Sequence, residues 1–290
     1  MSVNPNEDVY LNLLRYILTN GEKREDRTGV GTIGVFGQTV RFDLTSSFPL
    51  LTTKKMDLKS VTSELLWFIE GSSDERRLAE IRYGKPRGEI IDKKTIWTAN
   101  AEASYWKPKA KFDGDLGQVY GVMWRNWPSI EGGSIDQLVN LIEGIKKDPY
   151  GRRHILNAWN PAVLDDCALP PCHVLSQYRV SNGKLSCLLF QRSADSLLGI
   201  PYNIASYAAL TMMISQVCGL EAGELVMTFG DCHIYLNHLS QVDVQLSREP
   251  FEPPVLVLDP SIVNIDDFSM NSFNLNDYVS HGPIKADMAV

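Results

Sequence analysis

The stretch LPPCHVLSQYRV, residues 169–180, sets Cys172 beside His173 just after two prolines and at the start of a β-like segment. A cysteine attacks as its thiolate, and an ordinary thiol, with a pKa of about 8.5, is mostly protonated at neutral pH unless cations lie close. The chain offers Arg192 in FQRSADS and the pair Arg152 and Arg153 in YGRRHI, which only folding could bring near. Neighbouring strand residues point to opposite faces, so His173 is not thereby the base of Cys172. A zinc site from Cys167, Cys172 and His173 matches the spacing of no common finger and lacks a second cysteine pair. The bland alternative is a small buried hydrophobe, the usual state of a free cysteine. On the residues alone, a reactive thiol and a core thiol both stay open, and metal is disfavoured.

Other polar clusters are as ambiguous singly. DRTGVGT, residues 26–32, has the glycines of a phosphate-contacting loop and Arg27, but neither P-loop nor Rossmann spacing. QRSADSLLGIPYN, residues 191–203, packs Gln191, Arg192, Ser193, Asp195 and Asn203 between a strand and a helix, where polar groups serve either a ligand or the turn itself. In GDCHIYLNH, Asp231, His233 and Tyr235 alternate and share one strand face. KSVTSELLWFIEG is apolar around most of a helical surface yet carries Glu64, a carboxylate that needs a reason.

The elements that must position these groups read as follows. NEDVYLNLLRYILTNG predicts an amphipathic helix with Tyr10, Leu14, Ile17 and Leu18 on one face, stopped by Asn20 and Gly21. GTIGVFGQTVRFDL predicts one long kinked strand or a hairpin, bent at Gly37. SIDQLVNLIEGIKK gives Ile135, Leu138, Ile142 and Ile145 helical spacing, with lysines suited to a C-terminus. From residue 154 come HILNAW, then HVLSQYRV and KLSCLLFQR joined by a hairpin across Ser181, Asn182 and Gly183. NIASYAALTMMISQVCG predicts a long helix closed by Gly219, and PPVLVLD returns to short strands. Residues 71–117, polar and broken by Gly and Pro, predict an exposed region with short helices. Nothing marks a boundary or a repeat, so the expectation is a single α+β domain over 1–290 with a large mixed sheet and a divergent polar region at about 72–113.

Composition narrows the class. The 290 residues are 44% hydrophobic, enough for a substantial core, and 35 acidic against 28 basic residues give a formal charge of -7, which argues against a nucleic-acid-coating surface. The five cysteines form no CxxC pair, which fits a reducing compartment. No apolar run approaches the roughly 20 residues of a membrane span, and MSVNPNEDVY lacks a signal-peptide pattern, so the expected location is the cytoplasm.

Taken together and in order, the motifs resemble the thymidylate synthase family. DRTGVGT, FPLLTTKK, ELLWFIEG, GDLGQVYG, DPYGRRHILNAWNP, ALPPCH, LSCLLFQRSAD, LLGIPYNIASYA, GDCHIYLNH, QLSREP and the terminal IKADMAV carry the resemblance nearly end to end. It implies a large mixed sheet with surrounding helices, a sheet-to-sheet homodimer, and methylenetetrahydrofolate-dependent one-carbon transfer to C5 of dUMP without a metal. Cys172 would attack C6, with Glu64, Tyr120, His173 and Asn203 completing the catalytic set. Arg27, Arg192 and Ser193 would hold the phosphate, with Arg152 and Arg153 reaching across from the partner subunit, and an arginine near the sulfur would favour its thiolate. Gln191, Asp195, His233 and Tyr235 would complete the nucleotide site, and Asn203 would accept from uracil N3–H while donating to O4. Lys54, Ile96, Trp97, Asn100, Asp195, Leu198, Gly199, Tyr202 and Val290 would meet the folate.

The chain departs from the family's pattern at Ser73, Asp74, Thr98, Gln118, Met123 and Tyr202, which reads as a cluster on the folate side. A related outcome is therefore weighed beside dTMP: phage dUMP hydroxymethylases share the family but add water to the exocyclic methylene, giving 5-hydroxymethyl-dUMP. A third reading, an inactive nucleotide-binding or RNA-binding dimer, is opposed by the complete set of Cys172, Asn203 and arginines and by the acidic charge.

Overall fold

In a computed structural model, residues 3–288 are described, and Val290, expected at the folate, lies outside them. Eight α-helices among these residues are α1 Pro5–Asn20, α2 Leu58–Ile69, α3 Glu75–Tyr83, α4 Thr98–Ala101, α5 Tyr120–Arg125, α6 Gln137–Lys147, α7 Ile200–Val217 and α8 Leu239–Leu246. The strands are β1 Glu22–Arg24, β2 Thr32–Asp43, β3 Trp127–Pro128, β4 Ser134–Ile135, β5 Ile155–Asn157, β6 His173–Ser181, β7 Lys184–Asp195, β8 Glu221–Tyr235, β9 Val255–Leu258 and β10 Phe273–Asn276.

Six of them make one mixed sheet in the order β1-β2-β8-β7-β6-β5. Its pairs are antiparallel except β7 with β8, which run parallel because the buried helix α7 carries the chain back between them. The β6–β7 hairpin turns at Asn182 and Gly183, both at positive φ, as the Asn-Gly signal predicts. α7, apolar on nearly every side, and α1 cover one face of the sheet, while α2 packs among α3, α5 and α7.

A line of bends crosses the four central strands. In β2 the inward side chains are Phe42 and Val40 on one side of Gly37 and Val35 and Ile33 on the other, so the alternation changes phase there. β8 changes phase between Phe229 and Cys232, at Gly230 opposite Gly37; β7 between Gln191 and Ala194, at Arg192; and β6 between Ser176 and His173, where the register slips by a β-bulge. Gly37 takes φ +77°, and a Cβ on Gly230 would come within 2.9 Å of the Arg192 carbonyl, so this close passage needs glycine. Bulges re-aim side chains, and this line runs directly behind Cys172.

The N-terminal helix is tied across the molecule. Asn4 caps α1, the buried Glu7 accepts from the N–H and hydroxyl groups of Thr52 and Thr53 at 2.6–2.9 Å, and Tyr10 Oη donates to the Ser196 carbonyl at 2.9 Å.

Three elements differ from the sequence expectation. Ile135 is not on helix α6; it is 41% exposed and pairs with Trp127, because Asp136 caps the helix by accepting from Val139 N–H. β8 runs 15 residues, where the sequence suggested only its last part. Residues 72–113 do hold short helices, but Leu78, Trp97 and Trp106 from this segment join the core. Among the described residues no helix is long and apolar enough to cross a membrane.

Candidate active site

Cys172 precedes β6 at the bulge, in a corner fixed from three sides. Its N–H donates to Tyr120 Oη at 2.8 Å, its carbonyl accepts from Arg192 N–H at 2.9 Å, and its sulfur lies 3.8 Å from Arg192 Nη2. The same guanidinium donates from Nε to the Pro171 carbonyl and from Nη2 to the Pro170 carbonyl, both at 2.8 Å, so the two prolines of LPPCH present acceptors that aim it. Trp159 covers it, with Cζ 5.3 Å from the ring centroid. Trp159 itself is held at the bulge, where the Val174 carbonyl accepts from the N–H groups of both Ala158 and Trp159.

The thiol is not simply activated by this arginine. Burial raises its pKa, while Arg192 and the Tyr120 hydroxyl pull it back, and burial wins. Arg192 favours the thiolate, as expected of an arginine close to the sulfur, but burial outweighs it. The other four cysteines are pushed up to between about 11 and 12 by burial.

His173 faces the core beside Tyr120 and Tyr207, with ring centroids 4.9 and 5.2 Å away. Burial lowers its pKa to about 4, opposed by a hydrogen bond with Asn203, so the imidazole is neutral at ordinary pH. Asn203, in the first turn of α7, also accepts at Oδ1 from Gln191 Nε2 at 3.0 Å. Two buried polar atoms around Asn203, His173 Nδ1 and Gln191 Oε1, have no protein partner among the described residues. Buried polar atoms are normally satisfied, so this pair fits a polar ligand such as a pyrimidine edge.

Glu64 projects from α2 toward the same aromatic row. Trp97 Nε1 donates to Glu64 Oε1 at 2.6 Å, and the Trp97 ring lies 6.0 Å from Tyr120. Burial raises the Glu64 pKa, and the Trp97 hydrogen bond and the charge of Arg82 only partly offset it. A carboxyl whose pKa is raised towards the working pH suits proton transfer.

The turn from β7 into α7 gathers much of the expected folate set. Asp195 Oδ1 accepts from Leu197 and Leu198 N–H, the buried Lys54 donates to the Leu197 carbonyl, and Gly199 and Tyr202 follow in the next turn. Burial lowers Lys54 to about 8, opposed by Asp195. Beside this turn a cleft of about 440 Å³ is lined by Leu198, Gln241, Ile284, Lys285, Ala286 and Asp287.

On the other side, β8 places His233 against Asp231, Nδ1 to Oδ1 2.8 Å, with Tyr235 edge-on at 5.1 Å. Ser193 pairs with Asp231 across the sheet, and burial raises the Tyr235 pKa, with Asp195 and Asp26 adding to the shift and Arg27 opposing it. Arg152 and Arg153 are exposed ahead of β5, and neither guanidinium makes a hydrogen bond or ion pair among the described residues; Arg27 is likewise uncommitted. Ile96 is 56% exposed and Asn100 half-buried, neither tied to the corner around Cys172. No group of three or more His, Cys, Asp or Glu among the described residues could hold a metal ion.

Four of the departures from the family pattern have clear structural places. Ser73 donates to Asp115, Asp74 caps α3, Met123 is fully buried, and Thr98 donates to the buried Glu75. Trp159, Tyr207 and Glu75 were not singled out from sequence: NAWNP gives no sign that its tryptophan stacks on Arg192, and Glu75 reads as one charge among many in SSDERRL. The family model described as thymidylate synthase matches residues 8–290 of this chain.

Proposed function

From the chain's membership of the thymidylate synthase family, whose members carry out folate-dependent one-carbon transfer to C5 of dUMP, we propose that this protein completes the transfer reductively and releases dTMP. The observation that carries the choice of product is the fixing of Trp97. Its indole is bonded to Glu64, and the one hydroxyl that departs from the family next to it, Thr98 Oγ1, is committed to Glu75 and to Thr95 N–H. Thr98 therefore offers no hydroxyl to guide water towards C5. The second added hydroxyl, that of Tyr202, lies against the Asp57 backbone at the start of α2.

The residues divide the work. Cys172 gives up its proton to solvent as Arg192 meets the developing sulfur anion, a contact already at 3.8 Å, and its sulfur adds to C6 of the pyrimidine while the C5–C6 π electrons shift to C5 and O4. Asn203 reads uracil: its Oδ1 accepts from N3–H, and the amide NH2 donates to O4. Glu64, with its raised pKa, exchanges protons through ordered water, and the neutral His173 joins that network without adding charge. Arg27 and Arg192 hold the phosphate, with Arg152 and Arg153 supplied by a second copy. Methylenetetrahydrofolate supplies the one-carbon unit and the hydride; Lys54, Asp195, Leu198, Gly199 and Tyr202 would line its place.

The dimer is part of this proposal. The sheet face turned away from α7 presents Ile155, Gln177 and Leu188 in one cross-strand row, and Phe36 is 86% exposed. An apolar patch of this kind suits a second sheet.

Incubating the protein with dUMP and methylenetetrahydrofolate, and identifying both products by mass spectrometry, tests the reading. We expect dTMP with dihydrofolate. Tetrahydrofolate with a 5-hydroxymethyl nucleotide would replace it with the hydroxymethylase reading.

A further inference from the structure

Glu75 is 1% exposed, an unusual place for a carboxylate in a segment that otherwise faces solvent. Its Oε1 accepts from Thr98 Oγ1 at 2.5 Å, from Thr95 Oγ1 at 2.6 Å and from Arg76 Nη2 at 2.6 Å, and its Oε2 accepts from Arg76 Nε at 2.5 Å. Both threonine hydroxyls donate to the carboxylate and therefore turn their lone pairs towards the backbone. Thr98 Oγ1 accepts from Thr95 N–H at 2.8 Å, and Thr95 Oγ1 accepts from Trp97 N–H at 3.1 Å. Arg76 closes the ring by donating from Nη1 to the Lys93 carbonyl at 2.9 Å.

The result is a turn over residues 95–98 whose backbone is tied to one buried charge. Trp97 stands in this turn as the N-cap of α4, and its indole donates to Glu64 on the opposite side. Burying a charge is costly unless it is paired and hydrogen-bonded, and this one is fully provided with partners, all but Arg76 within residues 95–98.

We propose that Glu75 is a positioning residue for the reaction: through Thr95 and Thr98 it fixes Trp97, and through the Trp97 indole it fixes the Glu64 carboxyl. This rests on the one-carbon-transfer reading for its kinetic consequence, but the placement of Trp97 can be read without turnover.

Thr98→Val removes one hydroxyl with almost no change of shape, Thr98→Ser keeps it, and Glu75→Ala removes the hub. For Thr98→Val and Glu75→Ala we expect kcat to fall about 10- to 100-fold, as misplacement near the chemistry does, while dUMP binding stays within about twofold. Thr98→Ser should stay near wild type. The groups facing Glu64 are Trp97, Arg82, Tyr120 and Tyr207, and losing the indole bond should move the Glu64 limb of the pH–kcat profile upward. The Trp97 fluorescence, taken as the difference between each variant with and without Trp97→Phe, should change in Thr98→Val and not in Thr98→Ser.

If Thr98→Val and Glu75→Ala lower only the melting temperature, leaving kcat, the pH limb and the Trp97 signal in place, Glu75 is a scaffold residue and the proposal fails. If Glu75→Ala does not fold, the two Thr98 variants decide. If the wild type does not turn over dUMP, the functional reading fails instead, and the Trp97 signal still decides the placement.

Discussion

Glu64 illustrates how a single side chain trades stability for chemistry. Its pKa in the folded protein lies above the ordinary 4.5 because burial disfavours the charged form. The folded state therefore holds the proton longer than the unfolded chain. Stability falls as pH rises from the ordinary value to the shifted one, and stays lower above it. Glu64→Gln does not titrate and can still accept from Trp97 Nε1. In thermal melts at pH 7 it should exceed the wild type, with the gap narrowing below about pH 4.5, while kcat drops by about 10²-fold or more. Equal melting temperatures across that range would mean that Glu64 is not held in a desolvating site. The grouping of Cys172, Gln191, Arg192 and Asn203 was readable because they sit in long contiguous motifs: PPCH, FQRSAD and GIPYN each bring several partners at once. Trp159 and Glu75 were not, since their roles arise from a β-bulge and a turn that join segments far apart in sequence. The sign of the Cys172 shift was also out of reach, because a neighbouring arginine can be inferred from a motif and the depth of burial cannot.

At the level of elements, the site depends on how closely α5 lies on α2. Gly121 makes this possible, since a Cβ there would meet the Phe68 carbonyl oxygen at 2.5 Å and its Cα at 2.7 Å. Next to it, Tyr120 packs at a tilt against Phe68, ring centroids 5.0 Å apart, and reaches Cys172 N–H. Gly121→Ala should therefore cost about 1–3 kcal/mol in urea unfolding and reduce kcat, because Tyr120 moves with α5. A variant as stable and active as the wild type would show that the two helices part freely. Helices α1, α2 and α7 and the β6–β7 hairpin were legible from periodicity and turn chemistry. Strand β8 was not legible over its full length, because its inward alternation changes phase at Gly230 and a constant period of two fails there. Glu75 escaped for another reason: it lies in a segment whose polar composition hides the side chains it sends into the core.

For the whole molecule, the uncommitted arginines and the apolar sheet face belong to one question. If Arg152 and Arg153 serve a neighbouring site, Cys172→Ser and the Arg152→Ala, Arg153→Ala variant should each be inactive alone and recover activity when mixed under subunit exchange. An equal mixture should approach about one quarter of wild-type turnover, since half of the dimers are mixed and each holds one intact site. No recovery, with exchange verified, would place all phosphate ligands within one chain. The sheet also carries a consequence for biosynthesis. β2 is complete by residue 43, yet its neighbour β8 begins only at residue 221 and pairs with it in register from Thr32 with Tyr235 to Asp43 with Glu224. At a synthesis rate of about 5–20 residues per second, the ribosome leaves β2 without that partner for roughly 10 to 40 seconds. During that interval its Phe36 and Phe42 are open to holding by a chaperone or to pairing with another nascent chain.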